Sequence, residues 1–184
     1  MENFIFQNPT KLVFGKGTIA RLGELIPAGK RVMVTFGGGS VRCNGVYDEV
    51  CAALAGRDTV EFWGIEPNPS IETLREAIAL GKEREVDFLL AVGGGSVIDA
   101  TKFIGAGTFY DGDPWELSTG KGEIKACLPI VTVLTLSATG SEMDTGGVIS
   151  NPETKDKLGR LDPHMLPNDI FYPPDEFRYP VNRP

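Results

Sequence analysis

Apolar positions along this chain follow two rhythms. Val32–Phe36, Phe88–Val92 and Pro129–Leu134 are short continuous runs, the mark of strands covered on both faces. Between them apolar residues recur at helical spacing, at Val46, Tyr47, Val50, Cys51 and Leu54, then at Ile71, Leu74, Ala77 and Ile78, then from Val97 to Phe109. Thr18 is expected to cap a helix carrying Ile19, Leu22, Leu25 and Ile26, closed by Pro27 and Gly29. Pro67-Asn68-Pro69 breaks the chain, and Ser70 then caps the next helix. Phe4–Phe6 and Lys11–Phe14 read as short strands around the Asn8-Pro9-Thr10 turn, and Val60–Trp63 is strand-like. Strand, turn and helix thus alternate, which predicts an α/β fold with a parallel sheet and helices on both faces. From about Asn151 the rhythm is lost. Lys155-Asp156-Lys157 is polar, and six of the thirteen prolines fall between residues 163 and 184, so that stretch is expected to be mostly irregular.

Two strands run into near-identical glycine turns, Gly37-Gly38-Gly39-Ser40 and Gly93-Gly94-Gly95-Ser96. Glycine tolerates positive φ and has no Cβ, so backbone N–H groups can approach an anion closely. In a parallel sheet both turns fall at the carboxyl ends of strands, where ligands bind. Two such turns point to a ligand with more than one phosphate, a dinucleotide before anything else. Neither turn is GxGxxG, since Arg42 and Ile98 stand where the third glycine would be, and a glycine-rich turn can be only a tight connection. Asp99 and Lys102 lie one turn into the following helix. Asp99 is either a plain helix-start carboxylate or a hydrogen-bond acceptor for a ribose hydroxyl or amide. A third polar segment, Thr135–Gly147, follows the strand at 129–134 and concentrates hydroxyl and glycine donors, as a solvated loop or as a ligand-contacting one.

The bulk numbers narrow the partners. A net charge of −7 with no basic block argues against nucleic acid or an anionic membrane, though it leaves a local phosphate site open. No apolar run is long enough to span a bilayer, and Met1-Glu2-Asn3-Phe4 has neither part of a signal peptide. Cys43, Cys51 and Cys127 form no CxxC pair. Together these predict reduced thiols and a cytoplasmic, globular protein.

Taken together, the segments Asn8–Gly17, Gly37–Ser40, Ile65–Pro69, Leu90–Lys102, Asp113–Trp115 and Leu134–Glu142 resemble the iron-dependent (group III) alcohol dehydrogenase family. The match is to its butanol dehydrogenase and NADPH-dependent aldehyde reductase branch. The resemblance implies a Rossmann-like cofactor domain, akin to the N-terminal domain of dehydroquinate synthases, over residues 3–158. Residues 159–184 would then be a proline-rich tail leading toward a helical domain absent from this sequence. It implies that Gly94, Gly95, Ser96 and Val97 bind a pyrophosphate, with Asp99 near the nicotinamide ribose or amide. Asn68, Thr135, Thr139, Asp144, Gly146 and Lys157 match positions lining the adenine, ribose and nicotinamide sites. Asp144 stands where relatives often have Asn, so it would accept but not donate. The Gly37, Gly38, Gly39, Ser40 turn lacks the Asp by which NAD-preferring members hold the adenosine ribose. With Ser40 and Arg42 it would admit a 2′-phosphate, which implies NADP(H) over NAD(H), and Gly39→Asp would reverse the preference. A solvated surface charge is the equal alternative for Arg42.

In the family, Fe²⁺ or Zn²⁺ is held by one Asp and three His on the helical domain. Here His164 is the one histidine, so no catalytic residue or metal ligand is assigned. The implied function is the cofactor-binding part of an enzyme that moves hydride between NAD(P)(H) and a primary alcohol or aldehyde. The alternative is a stand-alone nucleotide-binding module without redox activity. Family members commonly dimerise through N-terminal edge strands, which puts Phe4–Phe6 and Lys11–Phe14 in a homo-oligomer interface.

Overall fold

Each apolar run becomes a strand, and each helical stripe lies across the sheet the strands form. The computed structural model describes residues 8–172. In chain order the elements are β1 (Lys11–Phe14), α1 (Leu22–Leu25), β2 (Arg31–Phe36), α2 (Val46–Ala53), β3 (Asp58–Phe62) and α3 (Ile71–Glu83). There follow β4 (Phe88–Gly94), α4 (Gly95–Gly107), α5 (Trp115–Thr119), β5 (Ile130–Leu136), β6 (Gly146–Asn151), β7 (Asp156–Leu161) and β8 (Asp169–Tyr172). The strand expected at Phe4–Phe6 lies outside the described residues.

Six strands form one sheet in the order β1-β8-β5-β4-β2-β3, every neighbouring pair parallel. The side-chain period of two divides the core. Met33, Leu89, Ala91 and Ile130 face α3 and α4, with Leu74, Ile78, Ile98 and Phe103 opposite them. Val32, Val34, Leu90, Val92 and Val131 point to the other side, toward Leu22, Val46 and Val50. Thr35 is the polar exception on β2. Its hydroxyl meets that of Thr101 at 2.6 Å, and Thr101 in turn donates to the Val97 carbonyl at 2.7 Å, so neither buried hydroxyl is orphaned.

Connectivity sets the position of the cleft. After β3 has added to one side of β2, the chain crosses over and β4 pairs on the other side. The reversal opens a crevice beyond the carboxyl ends of β2 and β4, the place where open parallel sheets bind ligands.

Two expectations need correction. Thr18 does not cap an α-helix: Gly17 precedes a 3₁₀ turn at Thr18–Arg21, and the Thr18 hydroxyl donates backward to Gly15 O at 2.9 Å. The first glycine turn leads into the helix expected from Val46 through one further turn. Ser40–Arg42 form that 3₁₀ turn, and α2 starts at Val46. Among the described residues the chain beyond Asn151 is not mostly irregular, and the sheet runs past residue 158. β6 and β7 pair as an antiparallel hairpin, and β8 is inserted between β1 and β5 with Ile170 and Phe171 fully buried. Of the prolines that suggested irregularity, Pro163 and Pro167 precede β8 instead of interrupting it.

Candidate functional site

The β4–α4 junction lies at the centre of the crevice. Gly94 is the N-cap of α4, so the N–H groups of Gly95, Ser96 and Val97 open the helix without intrahelical acceptors. No acidic side chain sits in that first turn to neutralise the positive end of the helix dipole. The glycines here serve close packing, not positive φ, since none of the three lies in the left-handed region. A Cβ on Gly93 would lie 2.5 Å from Val97 Cγ2, and one on Gly95 2.5 Å from Thr139 Oγ1. The junction is thus compressed between its own helix and the loop after β5.

That loop is fastened from inside the core. Lys102, on α4, is fully buried, and its ammonium reaches Ser141 Oγ at 3.1 Å, Asp144 O at 2.9 Å, Asp144 Oδ1 at 2.7 Å and Gly146 O at 2.5 Å. One turn earlier, Asp99 Oδ1 accepts from the Ser141 hydroxyl at 2.6 Å and Asp99 Oδ2 from the Val148 N–H at 2.9 Å. Asp144 closes the arrangement by accepting from Gly146 N at 2.8 Å. Burial raises the Asp99 carboxyl above its ordinary value and lowers the Lys102 ammonium below its own. Asp99, Thr139, Ser141, Asp144, Gly146 and Val148, with Arg160 and Leu161 of β7, line a pocket of about 220 Å³.

On the other side of the crevice the Gly37–Ser40 turn is open. A Cβ placed on Gly38 or on Gly39 meets nothing within 4 Å. Gly39 has φ of 103°, which a side chain tolerates poorly, whereas Gly38 is outside the left-handed region. The expected Gly39→Asp reversal is therefore moved to Gly38, where an added carboxylate would carry no backbone strain. Arg42 is not a freely solvated charge. Its guanidinium lies 3.8 Å from the centroid of the Trp63 ring, and Trp63 is stacked on Phe36 at 4.0 Å. Glu61 holds the aromatic partners in place, accepting from Trp63 Nε1 at 2.7 Å and from the Tyr47 hydroxyl at 3.0 Å.

Close contacts and hydrogen bonds join most of the sequence-predicted site residues into one group. Gly37 lies beside Val97, Gly95 beside Thr139, and Gly94 beside Leu136. Asn68, at φ of 59°, donates its backbone N–H to Ser96 Oγ at 3.4 Å and accepts from Lys157 Nζ at 2.6 Å. Ser40 and Thr135 share this end of the sheet, but among the described residues neither bonds to the others. Sequence reasoning did not assign Lys102 or Ser141. The signal was present, because Lys102 is the one charged residue from Ala100 to Gly107, where the rest but Thr101 are apolar or glycine, and a lysine buried there must be partnered. His164 stands apart, its Nδ1 2.8 Å from Asp162 Oδ1. Among the described residues no group of three or more His, Cys, Asp or Glu side chains is arranged to hold a metal ion. Nor is any helix there long and apolar enough to cross a membrane.

Comparisons with known proteins bear on the family and the fold. The sequence profile described as iron-containing alcohol dehydrogenase matches residues 9–174. A probable NADH-dependent butanol dehydrogenase of Bacillus subtilis is 51% identical over 99% of this chain and 48% of its own length. The NADPH-dependent aldehyde reductase YqhD of Escherichia coli is 54% identical over 91% of this chain and 44% of its own. Among solved structures, an NADH-dependent butanol dehydrogenase A from Thermotoga maritima superposes with a TM-score of 0.92 at 46% identity, covering 98% of this chain and 46% of that one. The chain therefore spans about half the length of the curated relatives it matches.

Proposed function

The chain belongs to the iron-containing alcohol dehydrogenase family, and from that premise we propose that its crevice binds NADP(H) for hydride exchange with a primary alcohol or aldehyde. One observation carries the reading: the unneutralised start of α4 and the open glycine turn after β2 face each other at the sheet's crossover point. Gly94, Gly95, Ser96 and Val97 would hold the pyrophosphate through backbone N–H groups. Gly37, Gly38, Gly39 and Ser40 would flank the adenosine ribose. Thr139, Asp144 and Gly146, with Asn68, Thr135 and Lys157, would line the remaining walls, and Asp99 has lone pairs to spare for a ribose hydroxyl or amide. The bound nicotinamide supplies or receives the hydride.

The relatives' names differ in cofactor, so the preference for NADP(H) rests on residues. No carboxylate occupies the Gly37–Ser40 turn, and Arg42, held flat on Trp63, keeps the edge of its guanidinium for a phosphate. Fluorescence titration tests this. NADPH is expected to bind more tightly than NADH, and Gly38→Asp to invert the order by setting a carboxylate against the 2′-phosphate. Tighter NADH binding by the wild-type chain would refute the assignment.

Alcohol oxidation and aldehyde reduction are proposed for the whole protein. For these 184 residues alone we expect NADPH binding without butanal-dependent NADPH oxidation when Fe²⁺ or Zn²⁺ is added, since the described residues assemble no ligand group. Turnover by the chain alone would overturn that expectation. Self-association of the chain belongs to the same proposal.

A further inference from the structure

The dinucleotide reading leaves one conspicuous group without a task. Lys102 touches no open surface, yet it spends its three N–H donors among four acceptors, all on the segment Ser141–Gly146. Asp99 adds two more ties to the same segment and to β6, at Ser141 Oγ and Val148 N. Its other long-range ties are few, from Asn8 Nδ2 to Met143 O at 2.7 Å and from Asp162 N to Thr145 O at 3.0 Å, with Gly146 paired to Leu161. Gly140 is left-handed at φ of 80°, Ser141–Met143 form a single 3₁₀ turn, and Gly146-Gly147 follow. Gly147 lies so close to α4 that a Cβ there would come within 3.2 Å of the Asp99 carbonyl oxygen. The loop after β5 is therefore shaped by the helix beneath it, and the helix does so through Lys102 and Asp99.

Position in the sheet says what that shaping is for. Strand ends follow one another as β2, β4, β5. A dinucleotide whose pyrophosphate rests on α4, after β4, reaches the Gly37–Ser40 turn after β2 with one nucleoside. Its other nucleoside lies over the loop after β5. With the 2′-phosphate at Gly37–Ser40, the nicotinamide half falls to the loop that Lys102 holds.

We propose that Lys102 is a positioning residue that holds Thr139–Val148 as a preformed wall for the nicotinamide half of the cofactor. The inference rests on the dinucleotide reading for its ligand but not for its geometry. Two probes separate the halves: NADPH, and adenosine 2′,5′-bisphosphate, which lacks the nicotinamide half. In Lys102→Met, NADPH affinity is expected to fall about tenfold or more, while the bisphosphate stays within about twofold of wild type. Hydrogen exchange at the Gly146 and Val148 amides should accelerate in parallel. Equal weakening of both probes in a variant that still folds overturns the proposal. So does unchanged NADPH affinity with the amides still protected. If Lys102→Met does not fold, Ser141→Ala removes the hydroxyl shared by Lys102 and Asp99 and is judged by the same readouts. If the wild-type chain binds neither probe, the proposed function fails, and the exchange measurement alone decides whether the wall depends on Lys102.

Discussion

Burying an ammonium and a carboxylate one helical turn apart costs desolvation that only a full set of partners offsets. Lys102 and Asp99 have such partners, yet burial still dominates both, raising the acid and lowering the base. The raised carboxyl gives a pH dependence of fixed sign. In the window from 3.8 upward to its folded value, native Asp99 holds more proton than the unfolded chain does. Its contribution to stability therefore falls as pH rises through that window. Asp99→Asn abolishes this titration, so the variant should gain on wild type as pH climbs through the window. Urea unfolding at a series of pH values reads the difference, and parallel profiles for the two proteins would show the argument to be wrong. At this scale the sequence was legible in part. The order of glycines and the motif Gly93–Lys102 marked the site. The partners of Asp99 did not show, because Ser141 and Val148 lie more than forty residues away and only the hairpin brings them back.

Among elements, α3 was legible because its signals are local. Ser70 lies between a proline break and an apolar stripe, and its hydroxyl accepts from Thr73 N at 3.3 Å. Ser70→Ala is expected to cost about 1 kcal/mol, seen as a fall in Tm of roughly 2–4 °C for a chain of this size. An unchanged melting curve would mean that the other bonds around Glu66 hold the helix start without it. The β4–α4 junction was legible for a different reason than its composition suggested. Its glycines are needed because neighbours fill the space of their side chains. Gly95→Ala should therefore push Thr139 off the junction, destabilise by about 1–3 kcal/mol and weaken NADPH binding together. Chemical denaturation and titration on one sample check both. The hairpin and β8 were hidden because their cues are tertiary. β6 and β7 carry glycines and charges that fit a strand only once they pair over α4 and α5, and the four residues of β8 are too short to declare themselves.

For the molecule as a whole, the informative surface is the rim of the crevice. Leu161 is 74% exposed, and Leu136, Met143 and Val148 are 43%, 40% and 36% exposed, all at the end of the sheet that holds the glycine turns. Scattered exposed leucines are ordinary, but Val148 and Leu161 share a face of the hairpin and both line the pocket with Asp99. A grouped apolar rim around a ligand cleft favours association, since covering it removes apolar area from water. The 184-residue chain is therefore expected to self-associate in a concentration-dependent way, by light scattering over a wide dilution series. Leu161→Lys should reduce that association while leaving adenosine 2′,5′-bisphosphate binding intact, because position 161 lies on β7, away from the Gly37–Ser40 turn and the start of α4. The alternative contact, through Leu12 and Phe14 of β1, would leave association unchanged in Leu161→Lys and lower it in Leu12→Lys. The two variants thus assign self-association to one end of the sheet or to its edge, and a monomer at every concentration would rule out both.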